Sequence, residues 1–588
     1  MKKIINHPET VVSELCHGLT LAHPELSWNP KYNIISRSQP KSHVVSLISG
    51  GGSGHEPAHA GFVGTGMLDA AVCGDIFASP SQFQIYKAIQ QTDAGQGVLL
   101  IIKNYSGDVM NFQNAAYLAQ EDGIRVDYVK VDDDIAVQDS QYTVGRRGVA
   151  GTIFVHKIAG AAAERGYSLP QVKAIAVQTA ASVKTIGFAL TSCTVPAKGT
   201  PTFSIADGEM EYGAGIHGEP GIRREPAASA DELAARMVPA LLKELALLDK
   251  PDAEIAVLVN GLGGTPVQEL YVLNRSVQRE LRKYRMKVHR TLVGNYMTSL
   301  DMAGASLSIL ALNDELRELL DAPCDTAALK ISGPSISVPY EETPSSAKAS
   351  PIVVPVKTNV SARICADGSL SMGNIIYLVD AMSGCIIRNE KPFCELDAHA
   401  GDGDFGMSVA KGFRRLKSEW QSILAESRDI GGFLSACALV IMEHCGGASG
   451  PVWGAAFRAA GRYAVGKTSL TKAEFAQMLQ SAVTGIQRMG ERSFGRGAGI
   501  GDKTLMDALI PCADTWLQLA ESDEAAASIM KKAAAAAVSG AKETEKMVAR
   551  MGRAGTVGKR SLGHPDAGAY ALGVIFTELA EKIQSDDQ

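Results

Sequence analysis

The chain has 588 residues, several times the roughly 100–200 that one compact domain takes, so more than one domain is expected. Hydrophobic residues make up 46% and charged residues 20%, which is typical of a globular protein and excludes a disordered, collagen-like or coiled-coil chain. Lys and Arg number 57 against 63 Asp and Glu, a net charge of −6 without long blocks of either sign, so we expect a small-molecule partner and neither a nucleic acid nor a membrane.

The N-terminal segment 1–9 lacks an apolar leader, and no stretch approaches the ~20 apolar residues of a membrane helix, which predicts a cytoplasmic protein. The ten cysteines are scattered and form no Cys-x-x-Cys pair. This pattern favours reduced, mostly buried thiols over a disulfide framework or a zinc ribbon.

From about residue 40 to 330, short apolar runs alternate with helical patterns. Buried strands are predicted at 44–48, 98–102, 126–129 and 255–259. One helix is predicted to begin with Ser79 as its N-cap and Pro80 as its first residue, and another spans 230–247. The N-terminal half is therefore expected to be α/β.

Glycine is the compositional outlier: it accounts for 59 of the 588 residues, about one in ten, against a usual ~7%. The glycines gather beside His, Asp and Ser. The loop 49–56, with four glycines, directly follows the first predicted strand. Ligands bind at the carboxyl ends of strands in open α/β sheets, and glycines let backbone N–H groups approach a polar ligand, so this segment is interpreted as a ligand loop.

Two further polar segments in this half carry candidate catalytic groups. The strand 98–102 ends in Lys103-Asn-Tyr-Ser-Gly-Asp108, where a carboxylate can take a proton from a substrate hydroxyl. His217 lies between glycines on both sides, and a neutral imidazole is a nucleophile towards a carbonyl carbon.

Pro and Ser dominate 331–351 without a sustained period, which predicts an exposed connector and a domain boundary near 335–360. Beyond it, apolar residues recur at helical spacing over 374–389, 429–445, 472–488, 505–521, 524–551 and 567–583. The C-terminal half is expected to be all-α.

Two short motifs match a known pattern but lack its context. Residues 461–468 fit the P-loop pattern, yet a helix precedes them and Thr471 and Glu474 form a capping box after them, so we expect helix–turn–helix. His55-Glu-Pro-Ala-His59 fits the zinc pattern H-E-x-x-H, but Pro57 interrupts the helix that this pattern needs.

Asp397, Asp402 and Asp404 lie in a glycine-rich turn, and carboxylates this close repel unless a cation stabilises them. They predict a Mg²⁺ site with positions left open for nucleotide phosphates. The turn 446–451 follows a helix and offers backbone donors to a phosphate.

The segments 48–64, 77–81, 103–108, 145–151 and 215–221 closely resemble the substrate-binding half of dihydroxyacetone kinases, in order over about 1–330. The resemblance implies that His217 binds the ketone covalently as a hemiaminal, which excludes glycerol because it has no carbonyl. It also implies that Asp108 is the general base with His55 assisting, and that the substrate is held by Gly51, Gly52, Ser53, Gly54 and Lys103.

The segments 396–406, 446–451, 501–509, 551–555 and 563–569 resemble the nucleotide-binding half of the same kinases, an antiparallel helical barrel. The resemblance implies two Mg²⁺ ions on Asp397, Asp402 and Asp404, and ATP phosphates on Ala448 and Ser449. The implied nucleotide-binding residues are Asp404, Phe405, Gly406, Met407, Gly447, Ala448, Ser449, Gly497, Leu505, Arg553, Asp566, Ala567 and Gly568. Phe405, Gly555 and Ala567 depart from the family pattern, which leaves the base preference open.

Together these features predict an ATP-dependent dihydroxyacetone kinase that also takes glyceraldehyde and forms a homodimer, with closure within one chain or between two. The expected domains are a ketose-binding α/β domain of two subdomains with mixed sheets (1–332), a linker (333–362) and a helical nucleotide-binding domain (363–588). The alternatives are an erythrulose kinase, a bifunctional triokinase that also cyclises FAD, a metabolite-sensing regulator and, weakest, a zinc hydrolase using His55 and His59.

Overall fold

The computed structural model describes residues 2–137, 145–219, 221–336, 338, 340–341, 362–365, 367–551, 555 and 558–583. The chain divides into two compact units, Met1–Pro344 (unit 1) and Ser345–Gln588 (unit 2). Most of the predicted linker 333–362 lies outside the described residues.

Unit 1 contains strands and helices in alternation. Its strands are β1 (Leu26–Asn29), β2 (Ile34–Arg37), β3 (Ser46–Ser53), β4 (Gly64–Thr65), β5 (Ala70–Ile76), β6 (Val98–Lys103), β7 (Val126–Val131), β8 (Val183–Ala189), β9 (Glu209–Tyr212), β10 (Arg223–Pro226), β11 (Glu254–Gly261), β12 (Lys287–Gly294), β13 (Gly304–Ala311), β14 (Cys324–Thr326) and β15 (Lys330–Ile331). Its helices are α1 (Val11–Ala22), α2 (Gln82–Thr92), α3 (Ser106–Glu121), α4 (Thr152–Glu164), α5 (Leu169–Ser182), α6 (Ala230–Glu244), α7 (Val267–Lys283) and α8 (Asp314–Asp321).

Two six-stranded sheets organise this unit, in the strand orders β1-β2-β5-β3-β6-β7 and β10-β9-β8-β13-β11-β12. In the first sheet β3 runs parallel to β5 and β6, and β6 runs parallel to β7, so their carboxyl ends lie at one edge. In the second sheet β11 and β12 are parallel and the other pairs antiparallel. The expected α/β half with mixed sheets is confirmed.

Two local expectations for this unit were wrong. The strand predicted at 44–48 continues as β3 to Ser53, because Gly50, Gly51 and Gly52 pair in register with β5. The helix predicted to start at Ser79-Pro80 starts at Gln82, because the Ser81 side chain accepts a hydrogen bond from the backbone N–H of Gln84 in a capping box.

Unit 2 is helical. Its helices are α9 (Met372–Arg388), α10 (Glu390–Asp397), α11 (Phe405–Ser418), α12 (Trp420–Glu426), α13 (Ile430–His444), α14 (Ser449–Tyr463), α15 (Lys472–Phe494), α16 (Met506–Leu519), α17 (Ala526–Glu543) and α18 (Ala567–Lys582), with short strands β16 (Leu370–Ser371) and β17 (Ser469–Leu470). Helices α9, α11, α13, α14, α15, α16, α17 and α18 each pack against the next, and α18 packs against α9.

This ring of eight helices closes around an apolar interior in which Phe413, Trp453 and Phe475 are buried, so the predicted helical half is confirmed. The segment 461–468 spans the end of α14 and the turn before β17, and Thr471 caps α15 through Glu474. The helix predicted at 524–551 ends at Glu543, where a 3₁₀ turn follows. Within the described residues, no helix combines the length and apolar character needed to cross a membrane.

Candidate active site

The histidine site of unit 1, defined by His55, His217, Lys103 and Asp108, forms where loops of its two sheets meet. His55 follows the carboxyl end of β3, and His217 lies in the connection between β9 and β10. The backbone N–H groups of Thr298 and Leu300, between β12 and β13, donate to the carbonyls of His55 (3.1 Å) and Gly54 (2.7 Å). These hydrogen bonds tie the second sheet to the glycine-rich end of β3.

The two imidazoles are in direct contact. The Nε2 atoms of His55 and His217 lie 3.2 Å apart, and Nδ1 of His55 lies 2.9 Å from the carbonyl oxygen of Thr298. Because a carbonyl oxygen only accepts, Nδ1 of a neutral His55 carries the hydrogen and its Nε2 is an acceptor. The hydrogen-bond network therefore assigns Nε2 of His217 as the donor to His55.

Burial and a nearby ammonium group keep both rings neutral. Burial, with the charge of Lys103 adding to it, lowers the pKa of His55 to about 3. Burial, then His55 and Lys103, hold the pKa of His217 well below its usual value of 6.5. Both imidazoles are therefore uncharged at neutral pH, and an uncharged imidazole retains a nitrogen lone pair.

Lys103 and Asp108 form a buried ion pair beside these rings. Lys103 ends β6, Asp108 lies in the first turn of α3, and Nζ and Oδ2 are 3.5 Å apart. A Cβ at Gly51 would lie 2.6 Å from Nζ of Lys103 and 3.3 Å from Oδ2 of Asp108. A side chain at position 51 would displace the ammonium group from this part of β3, and the φ of +151° there also favours glycine.

Arg147 and Glu219 hold the His217 loop, and sequence reasoning assigned neither of them a role. The backbone N–H of His217 donates to Oε2 of Glu219 (2.8 Å), whose Oε1 accepts from Nη1 of Arg147 (3.0 Å). The same guanidinium group bonds the carboxylate of Asp134 (2.6 Å) and the carbonyl of Gly213 (2.9 Å). One buried cation thus ties the loop to the end of β7. The segment 145–151 was the available signal, because it is part of the family resemblance.

His59, the second histidine of the H-E-x-x-H match, faces a different partner from His55. Its Nδ1 lies 2.9 Å from Nε2 of His156 and 3.4 Å from Oγ of Ser49. His55 and His59 therefore do not converge on one point as zinc ligands would.

The carboxylate site of unit 2 consists of Asp397, Asp402 and Asp404. Asp397 ends α10 and Asp404 is the N-cap of α11. Within the described ranges, these three form the one group of three or more His, Cys, Asp or Glu residues whose ligand atoms all lie within 4.8 Å of one another. The backbone N–H of Gly403 donates to Oδ2 of Asp397 (2.9 Å), which fixes that side chain. Carboxylate oxygens are the ligands that Mg²⁺ prefers, so the donor set fits this ion.

A cavity of about 250 Å³ adjoins the three carboxylates. The turn 446–448 lines it and leads directly into α14, whose first backbone N–H groups carry no intrahelical partner. A helix N-terminus of this kind attracts a phosphate group through its dipole and its N–H donors.

The structure brings most of the implied nucleotide-binding residues together at this cavity. Those that line it are Asp404, Phe405, Gly447, Ala448, Ser449, Leu505, Asp566, Ala567 and Gly568. Gly406, Met407 and Gly497 are not among the lining residues. Met407 has an exposed fraction of 56%, and Gly497 packs against Gln487. Arg553 lies outside the described residues.

Three further lining residues were not found by sequence reasoning. The ammonium group of Lys503 donates to backbone carbonyls of Thr544 (2.8 Å), Ser561 and His564 (2.8 Å), so it fixes the segment that leads to α18. The rings of His399 and His564, the other two of these residues, stack with their centroids 3.9 Å apart.

Asp566 is the N-cap of α18, and removal from bulk water raises the pKa of its carboxyl group to about 7.

Comparison with known proteins identifies the family. Residues 17–328 match the Dak1 domain and residues 399–581 match the DAK2 domain. The chain belongs to the dihydroxyacetone kinase family, with both domains fused in one chain. This confirms the resemblance found in the sequence.

Three similar proteins show how far the likeness extends. The dihydroxyacetone-binding subunit DhaK of PTS-dependent dihydroxyacetone kinase 1 from Listeria innocua is 52% identical over 330 residues, which cover 56% of this chain and all of that subunit. The D-erythrulose kinase of Mycolicibacterium smegmatis is 34% identical over 588 residues and all of both chains. The crystal structure of the dihydroxyacetone kinase from C. freundii in complex with AMP-PNP and Mg²⁺ is 31% identical, covers 99% of each chain and has a TM-score of 0.60.

Proposed function

We propose that the chain phosphorylates dihydroxyacetone, and also glyceraldehyde, with ATP as the phosphoryl donor, and that it holds the substrate as a hemiaminal on His217. The observation that carries this proposal is the 3.2 Å contact between two neutral imidazoles beside the Lys103–Asp108 pair. A homodimer and a cytoplasmic location belong to the same proposal.

In the covalent step, C2 of the ketone forms a bond to a ring nitrogen of His217 and the carbonyl π bond breaks. The proton that the imidazole N–H loses is the one that the carbonyl oxygen gains on becoming a hydroxyl group, so the net step leaves both rings neutral. His55 is suited to relay that proton, because its Nε2 accepts from His217 and the Thr298 carbonyl fixes its tautomer. Glycerol has no carbonyl carbon and cannot be held in this way.

Asp108 is the proposed base for the terminal hydroxyl, and Lys103, 3.5 Å from it, keeps a positive charge beside the proton-accepting carboxylate. Gly51, Gly52, Ser53 and Gly54 complete the substrate pocket in this proposal.

In unit 2, Asp397, Asp402 and Asp404 would hold two Mg²⁺ ions, and Ala448 and Ser449 would receive phosphate oxygens at the start of α14. Bound MgATP supplies the transferable phosphoryl group and the cations that neutralise its charge. The same C. freundii crystal structure contains AMP-PNP and Mg²⁺, which supports this donor.

A four-carbon ketose is the second candidate substrate. The hemiaminal needs only a carbonyl carbon, and a full-length relative is named a D-erythrulose kinase. Turnover assayed with dihydroxyacetone, glyceraldehyde, erythrulose and glycerol ranks these substrates, and we expect none with glycerol.

The covalent step is tested by ¹³C NMR with dihydroxyacetone labelled at C2. We expect the carbonyl resonance to be replaced by that of a tetrahedral carbon in the wild type and in the control variant His23→Gln, which alters a surface histidine paired with Glu25. His217→Gln is expected to show only free dihydroxyacetone, as the ketone and its hydrate, whose C2 resonances are separate from that of a carbon bonded to nitrogen. A wild type without the protein-bound tetrahedral carbon, or a His217→Gln variant that shows it, would contradict the mechanism.

The metal assignment is tested separately. Asp402→Ala should abolish turnover and leave the tetrahedral carbon signal intact, because the carboxylate site is in unit 2 and the imidazoles are in unit 1. Asp523→Ala, which alters an exposed carboxylate of unit 2, is the matched control. Near-wild-type turnover of Asp402→Ala would show that the metal site is misplaced.

A further inference from the structure

Phe77 occupies an unusual backbone position at the edge of the histidine site. It directly follows β5 and has a φ of +58°, in the left-handed region that a bulky side chain rarely adopts. Its backbone N–H donates to the carbonyl of Ser53 (2.9 Å), which joins the ends of β5 and β3. Surrounding structure must enforce such a conformation, and strained residues of this kind concentrate at functional sites.

The Phe77 ring contacts both imidazoles. It stacks on His55 with a centroid distance of 5.2 Å and an interplanar angle of 25°, and it meets His217 edge-on at 5.3 Å and 68°. Tyr105 also packs against the His217 ring, at 4.3 Å and 69°. The His217 imidazole is thus in contact with two aromatic rings as well as with His55.

Two glycines of β3 and its loop make room for Phe77. A Cβ at Gly52 would lie 2.5–2.7 Å from backbone atoms of Phe77 and Ala78, and a Cβ at Gly54 would lie 2.8 Å from Cε1 of the Phe77 ring. Gly54 also has a φ of +104°, which favours glycine. Part of the glycine-rich pattern therefore makes room for an aromatic side chain as well as for a ligand.

We propose that Phe77 is a positioning residue that fixes the ring planes of His55 and His217 for capture of the carbonyl substrate. The inference rests on the proposed hemiaminal. Hydrogen bonds at Nδ1 and Nε2 hold the edge of the His55 ring, and the stacked Phe77 ring covers its face and so limits tilting of the ring plane. With His55 fixed, its Nε2 stays directed at the ring nitrogen of His217 that must lose a proton.

The test compares Phe77→Leu, which removes the ring, with Phe77→Tyr, which retains it. Phe83→Leu is the matched control, because Phe83 is a nearby phenylalanine in the first turn of α2, is 49% exposed and packs edge-on against Tyr32. We expect the rate of ketone capture, followed by the C2 resonance, to fall about tenfold or more in Phe77→Leu, since small errors of alignment have effects of this size. Phe77→Tyr and Phe83→Leu should stay close to the wild type.

If the wild type captures the ketone and Phe77→Leu captures it at the same rate, this inference is overturned and the proposed function stands. Absence of the tetrahedral carbon in the wild type would overturn the proposed function and this inference with it. If Phe77→Leu does not fold, as judged by circular dichroism, Phe77→Met carries the same expectation because it retains side-chain volume without a ring. A rate of ketone capture in Phe77→Tyr as low as in Phe77→Leu would also contradict a role for the ring.

Discussion

Replacement of Arg147 by Met tests whether one buried cation holds the His217 loop. The guanidinium group contacts the carboxylates of Asp134 and Glu219, and all three side chains are buried or nearly so. Met replaces the aliphatic stem and removes the charge. The variant therefore leaves two carboxylates without their cation.

The expected loss of stability is about 3–5 kcal/mol, the range found when one partner of a buried ion pair is removed. This loss of stability should increase with pH, because of how Asp134 titrates. Burial raises the pKa of Asp134 from the ordinary 3.8 to about 6, even though Arg147 acts to lower it. Without Arg147 that pKa rises further, so above pH 6 the folded variant retains a proton that the unfolded chain has released. Its stability deficit relative to the wild type then widens by about 1.4 kcal/mol per pH unit until the new pKa is reached.

The assay is urea denaturation at pH 6 and pH 8, read by pulse proteolysis and mass spectrometry of peptides from unit 1. Arg146→Met is the matched control, because the adjacent Arg146 forms a partly exposed ion pair with Glu244 (2.9 Å) that is worth about 0–1 kcal/mol. Arg147→Met should also lose the tetrahedral carbon signal, since Glu219 would no longer be held against the backbone of His217. Equal losses in the two variants, or a deficit of Arg147→Met that shrinks as the pH rises, would refute the reasoning.

Three further predictions concern other buried groups. Burial lowers the pKa of His156 from 6.5 to about 3, so its stability contribution is complete above pH 6.5 and is lost as the pH falls from 6.5 towards 3. In His156→Gln, the free energy of unfolding from urea denaturation should vary less with pH across this window, by about 1.4 kcal/mol per pH unit. Lys503→Met should destabilise unit 2 by about 3 kcal/mol or more in urea denaturation, because three carbonyls lose their donor; a loss below about 1 kcal/mol would contradict this. Gly540→Ala should cost about 1–3 kcal/mol by thermal unfolding, because its Cβ would lie 1.9 Å from the carbonyl oxygen of Asp507, whereas Gly573→Ala, with no contact under 3.4 Å, should be tolerated.

The sequence predicted the elements of unit 1 and its chemically important side chains, but not how they are held. Apolar runs such as 98–102 predicted buried strands because parallel strands are covered on both faces. His55 and His217 stand 162 positions apart, and only the meeting of the two sheets brings their Nε2 atoms within 3.2 Å. Arg147 and Glu219 lie in segments that carry the family resemblance, but their pairing was not predicted because it depends on which loops the fold brings together.

In unit 2, the helical period predicted an all-α half, the family resemblance implied its closure into a barrel, and the spacing of Asp397, Asp402 and Asp404 predicted a cation site. The prediction and the structure differ at the cavity for two residues, Met407 and Lys503, because periodicity does not show where their side chains point. Met407 lies within α11 on an exposed face, so a position next to a functional turn did not place its side chain in the cavity. Lys503 was missed because its partners are backbone carbonyls, which leave no pattern in the side chains.

The glycine-rich end of β3 shows how one sequence signal serves two physical needs. Gly51 lets the ammonium group of Lys103 approach the strand, as a ligand-binding loop requires. Gly52 and Gly54 also make room for Phe77, which packs on the two imidazoles. Composition alone cannot separate these roles, because a glycine records only that a side chain is excluded and not which atom excludes it. An alanine at position 52 or 54 should therefore act on the imidazoles through Phe77, whereas an alanine at position 51 should act directly on the Lys103–Asp108 pair.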